Sequence, residues 1–128
     1  MYNMSVAGTP KKLMLDGESF DVIAAAEFTL DRTKFKKEQI ETSGEPIVKL
    51  KKNTQIAEAE IACNSKKYES LMNKVNSLAD ITISFTLADG SVYKGKGQVE
   101  AEAWAAQDNK TKIKMIPTAA DGWTAFPV

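Results

Sequence analysis

Four glutamates stand at alternate positions in two short runs: Glu58 and Glu60 in "TQIAEAEIAC", and Glu100 and Glu102 in "GQVEAEAW". Paired carboxylates are the reagents of glycoside hydrolysis, which needs a deep cleft and one carboxyl with a raised pKa. Alternating glutamates on open strands supply neither. The chain has no histidine, which removes Ser-His-Asp and Cys-His catalysis and the commonest zinc ligand together. Cys63 is the only cysteine and reads as a small core residue rather than a reactive thiol. It excludes an intrachain disulfide and fits a reducing compartment. "GKG" at Gly95–Gly97 lacks the strand-turn-helix setting of a phosphate loop, and close strand packing explains it better. The lysine clusters "KFKK" and "KLKK" are the right chemistry for a phosphate backbone. Only Phe35 interleaves an aromatic among them, so a protein-facing role fits them better. The expectation is a protein without catalysis, cofactor or metal.

At 128 residues the chain is the length of one domain, with a single core and much surface left outside it. Lys+Arg and Asp+Glu both number 17. That balance argues against a general nucleic-acid binder and removes the net repulsion that keeps small domains apart. No apolar run approaches the ~20 residues that span a bilayer. The opening "MYNMSVAGTPKK" has no charged leader followed by an apolar core, so no secretory signal is expected.

The elements that position these residues follow from periodicity. "KLMLDGESFDVIAAAEFTL" reads as a strand, a turn at Asp16-Gly17 and a longer strand, with Leu13 paired to Phe20. In "TQIAEAEIAC", Ile56, Glu58, Glu60 and Ala62 share one face, and Ala57, Ala59, Ile61 and Cys63 the other. "NSKKYESLMNKVNSL" changes to helical spacing over 64–78, with Asn64 or Ser65 as N-cap and Tyr68, Leu71, Met72, Val75 and Leu78 on the covered side. In "DITISFTLADGSVYKGKGQVEAEAW", Ile81, Ile83, Phe85 and Leu87 face one way. They share that face with Tyr93, Gly95, Gly97 and Val99 only if the sum of paired residue numbers is even. A three-residue loop, Ala88-Asp89-Gly90 with Gly90 left-handed, satisfies this and sets Phe85 opposite Tyr93. The same parity argument over "AEAWAAQDNKTKIKMIP" places a loop at Asp108–Lys110, with Ala105 against Ile113 and Trp104 against Lys114. Residues 119–128 form a tail carrying Trp123 and Phe126. The sum is mainly β: an antiparallel β-sandwich or barrel with one flanking α-helix, in a single domain over 1–128.

One segment does not fit inside such a domain. "TKFKKEQIETSGEPIVKLKKN", residues 33–53, has a turn signal at Ser43-Gly44-Glu45-Pro46 and five large apolar residues: Phe35, Ile40, Ile47, Val48 and Leu50. Ordering costs ~1–2 kcal/mol per residue in backbone entropy, more than those five side chains can offset. The apolar content also departs from a disordered composition. The arm is net +3 and the remainder net −3, so a protruding hairpin or loop that orders against an acidic surface of an identical neighbour is expected. Trp123 and Phe126 call for a pocket either at home or on such a neighbour. A monomeric OB- or barrel-like binding domain, using the basic arm for nucleic acid or an acidic protein, is the alternative.

The order of features then becomes informative. A "LDGESFDV" hairpin precedes the "IETSGEPIVKLKKN" arm; "IAEAEIAC", one helix, "ADITISFTLADGSVYKGKGQVEAE" and "KIKMIPTAADGW" follow. This order resembles, across essentially the whole chain, the tail tube proteins of contractile-tailed, Mu-like bacteriophages. The resemblance implies a structural virion protein assembled in the host cytoplasm. Hexameric rings would stack into a conduit through which DNA passes without specific binding. Tail sheath, baseplate and tail-terminator proteins are the implied further partners. The arm, with Phe35, Lys36, Lys37, Ile40, Gly44, Ile47, Val48 and Leu50, would bridge subunits or rings. Lumens of such tubes tend to be acidic, which makes Glu58, Glu60, Glu100 and Glu102 the candidate lumen-facing residues. Lys112 and Lys114 on the neighbouring strand offset that charge.

Overall fold

The computed structural model describes residues 7–24, 26–119 and 121–128. The reading of Met1–Val6 as lacking a leader lies outside the described residues. Two strands, β1 (Lys12–Leu15) and β2 (Glu18–Phe20), meet at the Asp16-Gly17 turn. Both turn residues have positive φ, 51° and 82°, the requirement of a two-residue hairpin loop. Leu13 pairs with Phe20 as the spacing predicts, and both are buried. The expected longer second strand is instead broken. It pauses at a single bridge from Val22 to Ile61 and resumes as β3 (Thr29–Leu30). The reason is a change of partner, since β2 pairs with β1 while Val22 and β3 pair with the next strand of the core, β6 (Ala57–Ala62).

Between β3 and β6 lies the arm, β4 (Phe35–Ile40) and β5 (Ile47–Lys52), a separate two-stranded sheet. After β6 come α1 (Ser65–Val75), β7 (Ile81–Thr86), β8 (Val92–Ala101), β9 (Lys110–Pro117) and β10 (Thr124–Phe126). The main sheet runs β2-β1-β7-β8-β9-β6-β3, antiparallel throughout, with β10 added to β8. It curls until its ends meet. The Ile23 N–H donates to Glu60 O at 2.8 Å, and the Ala62 N–H donates to Asp21 O at 2.8 Å. These two bonds join the strand after β2 to β6 and close the sheet into a barrel, which removes most of its open edges.

Alternation fills the interior. Leu13, Leu15, Ala57, Ala59, Ile61, Ile81, Ile83, Phe85, Val99, Ile113 and Met115 point inward and are buried in one contiguous core. The β7–β8 register is the one that parity requires, with Phe85 opposite Tyr93, Ile83 opposite Gly95 and Ile81 opposite Gly97. Gly90 has φ +95° in the three-residue loop. The β8–β9 register differs from the expected one. Val99 pairs with Met115 and Glu100 with Lys114, while Ala105 bridges Lys110 around a four-residue turn. Two residues, Ala103 and Trp104, then oppose Thr111 alone. This bulge turns Trp104 off the outer face and onto the helix, where it stacks on Tyr68 at 4.6 Å and donates to Cys63 O at 2.8 Å.

The helix is shorter than 64–78. Asn64 caps it, its Oδ1 accepting from the Lys67 N–H at 2.9 Å, and Asn76 ends it. Leu71 is fully buried, whereas Leu78 lies beyond the last turn and is fully exposed. Because α1 follows the end of β6 and the arm precedes its start, helix and arm sit at opposite ends of that strand.

Gly97 is the most tightly packed of the described glycines, since a Cβ there would press into the Ile116 carbonyl on β9. Relief requires backbone movement, so Gly97→Ala is expected to cost about 3 kcal/mol, the upper range for an overpacked core. Gly44→Ala at the arm tip meets only ordinary contact and is expected to cost less than ~0.5 kcal/mol, as surface changes do. Urea midpoints of the two variants check the contrast.

Candidate interaction surfaces

The arm is a β-ribbon with no buried residue between Arg32 and Lys52. Its pairs are Phe35–Lys52, Lys36–Lys51, Lys37–Leu50, Glu38–Lys49, Gln39–Val48 and Ile40–Ile47. Cross-strand partners share a face and successive residues alternate. One face therefore carries Phe35, Val48 and Leu50 with Lys37, Gln39 and Lys52. The other carries the Ile40–Ile47 pair near the tip, then Glu38, Lys49, Lys36 and Lys51. Every one of the five large apolar residues is exposed, between 41% and 58%. At the tip, Thr42 Oγ1 donates to Glu45 O at 2.7 Å and accepts from the Gly44 N–H at 3.1 Å. Lys36 lies directly opposite Lys51, a like-charge pair that disfavours the ribbon unless an acidic group approaches. Among the described residues no ion pair involves an arm lysine.

The root of the ribbon is built from residues that sequence periodicity does not pick out. The Asp31 carboxylate accepts from the Thr33 N–H at 2.9 Å and from Asn53 Nδ2 at 3.1 Å; Asn53 Nδ2 also donates to Thr33 O at 2.7 Å. An Asp four residues ahead of a strand and an Asn just after its partner are a usable signal for a stapled hairpin root.

The structure gathers all four candidate glutamates on the outer face of β6, β9 and β8. Lys114 stands between Glu58 and Glu100, and the β9 position of Lys112 lies between Glu60 and Glu102. Lys114 Nζ lies 3.9 Å from Glu58 and Lys110 Nζ 3.4 Å from Glu60. Glu100 and Glu102 make no ion pair among the described residues. Ala26, Glu27 and Thr29 wall this face on one side, leaving an open groove of about 390 Å³. Both carboxylates of each run point the same way, as alternation predicts. No group of three potential metal ligands occurs among the described residues, and the groove offers charge and shape.

Of the two tail aromatics, Trp123 fills a home pocket. Its ring packs on Gly95 and edge-on to Phe85 at 5.3 Å, and its Nε1 donates to Gln55 O at 2.8 Å. Trp123 is therefore unavailable to a neighbour. Phe126 remains about half exposed on β10, with Lys94 Nζ over its ring at 5.5 Å. Cys63 is buried, and that burial pushes its thiol up, away from the reactive thiolate. Among the described residues no helix is long and apolar enough to cross a membrane. No family model, curated protein or solved structure matches the chain significantly.

Three carboxylates are held below their usual range by hydrogen bonds: Asp31 by the Thr33 N–H and Asn53, Asp80 by the Thr118 hydroxyl and Gln98, and Asp89 by the Ser91 N–H. A carboxyl depressed in the folded state adds stability above its unfolded value of 3.8, and that contribution disappears as pH falls through the folded value. With no histidine to titrate, the urea midpoint is expected to stay flat from about pH 5 to 8 and to fall below 3.8. Asp31→Asn removes part of the acid-side fall; an unchanged profile in that variant contradicts the staple at the arm root.

Proposed function

We propose that this protein is the subunit of a phage-type tail tube, a structural virion component that assembles from copies of itself without catalysis or cofactor. The observation that carries the reading is the arm: a β-ribbon held clear of a closed barrel, with all five large apolar residues facing solvent. An isolated two-stranded ribbon is marginal in water. Contact with copies of the same chain supplies the missing burial. The barrel leaves short open edges at β3 and β10, suited to pairing between neighbours within a ring. Hexameric rings stacked into a conduit are the form this takes, with the arm reaching an adjacent subunit or ring. The wall of the conduit is assigned to the outer face of β6, β9 and β8. Four glutamates and Glu27 against Lys110, Lys112 and Lys114 leave that face a small acidic excess that keeps DNA from adhering. Sheath, baseplate and terminator proteins are the further partners in this reading.

The second reading, a monomeric barrel that grips an anionic partner through its ribbon, draws on the Lys36–Lys51 pair. Negative-stain microscopy and solution mass separate the two. The full chain is expected to form rings or tubes, and a chain lacking Lys36–Lys51 to remain a folded monomer. Tubes formed equally well by the shortened chain contradict the role of the arm. A full-length protein that stays at 14.0 kDa and binds duplex DNA with steep salt dependence selects the second reading.

A further inference from the structure

Trp123 holds both legs of the arm at once. Its carbonyl accepts from Arg32 Nη2 at 3.0 Å, on the residue that precedes the arm. Its indole N–H donates at 2.8 Å to the carbonyl of Gln55, two residues after the arm ends. These contacts join positions 91 and 68 apart in sequence. Arg32 also lies over the Tyr93 ring at 5.6 Å, and the Trp123 ring is pinned on Gly95 of β8. The Asp31–Thr33–Asn53 staple ties one leg to the other. Beyond the Asp31 N–H to Ile56 O bond next to β3, it does not fix the ribbon's angle to the barrel.

We propose that residues 122–126 form a clasp that sets the direction of the arm, with Arg32 and Trp123 as its positioning residues. Gly122 supplies the entry, at φ +67° and packed on the Gln55 side chain; β10 anchors the segment by pairing Thr124–Phe126 with Val92–Lys94 of β8. A ribbon with two dissimilar faces must be aimed to engage a partner in one register, and aiming in advance lowers the ordering cost of that contact. Because the clasp follows the arm in the chain, a nascent or truncated polypeptide can close most of its barrel while the arm still swings. Presentation of the arm is thereby coupled to docking of residues 122–126. This goes beyond the tube reading and does not need it, since any partner of the arm meets the same requirement.

The test measures the direction of the arm in dilute monomer. Spin labels at Ser43→Cys on the tip and Leu78→Cys at the opposite end, in a Cys63→Ala background, report a distance distribution by pulsed electron resonance. Arg32→Ala is expected to broaden it about twofold or more, as loss of a charge-assisted hydrogen bond releases one leg. Trp123→Phe keeps the ring on Gly95, loses the bond to Gln55 O and is expected to broaden it as well; Arg32→Lys restores part of the narrow form. The barrel's near-ultraviolet circular dichroism stays unchanged in Arg32→Ala. Widths equal to the parent's in Arg32→Ala overturn the clasp, and that variant decides if Trp123→Phe fails to fold. Failure of tube formation leaves this result unaffected, so the two proposals fall separately.

Discussion

A β-ribbon that cannot bury its own apolar side chains is the constraint on which the rest of the molecule depends. Phe35, Val48 and Leu50 line one face, Ile40 and Ile47 pair near the tip on the other, and nothing among the described residues covers them. Exposed apolar side chains scattered singly are ordinary. Five on one twenty-residue projection, with a lysine excess between them, form a surface that gains by being covered. The charge has the same logic. Lys36 against Lys51 disfavours the free ribbon and favours an acidic neighbour.

The barrel is the rigid mount for that projection. Closure through Asp21–Ile23 and β6 leaves the sheet with few edges, and α1 seals the end away from the arm through Leu71 and the Tyr68–Trp104 stack. At the arm's end the aromatic cluster of Phe28, Phe85, Tyr93 and Trp123 is packed edge-to-face and stacked, at 5.0–5.4 Å between centroids. Gly95 and Gly97 permit this, one admitting the Trp123 ring and the other the β9 backbone. Small residues on β8 thus serve the arm indirectly, by letting the segment that aims it sit flush with the barrel.

Much of this was legible in the residue order. Parity of the apolar sets is a strict condition, because a one-residue slip reverses every side chain. It therefore returned the β7–β8 register, while the Asp16-Gly17 turn returned the β1–β2 register. Alternation set Glu58 beside Glu60 and Glu100 beside Glu102, and the joining of the two pairs across β9 came only with the structure. Parity alone does not choose between registers of equal parity, nor does it anticipate a bulge. That is why Ala105 meets Lys110 rather than Ile113, and why Trp104 leaves the outer face for the helix. The break between β2 and β3 was hidden for a related reason, since a strand that changes partners keeps its apolar content while losing its ladder. Composition identified the arm as a segment with apolar residues and no means to bury them. The root residues Asp31, Arg32, Asn53 and Gln55 carry no periodic signal, because their roles arise from contacts with Trp123 and with each other.

Concentration dependence of amide exchange along Phe35–Ile40 and Ile47–Lys52 tests the central claim most directly. If copies of the chain cover the ribbon, its amides exchange faster than those of β7 and β8 in dilute protein and become as protected as them when concentrated samples assemble. Arm exchange that is already slow in dilute samples, or that stays fast while concentrated protein keeps the mass of one subunit, contradicts it.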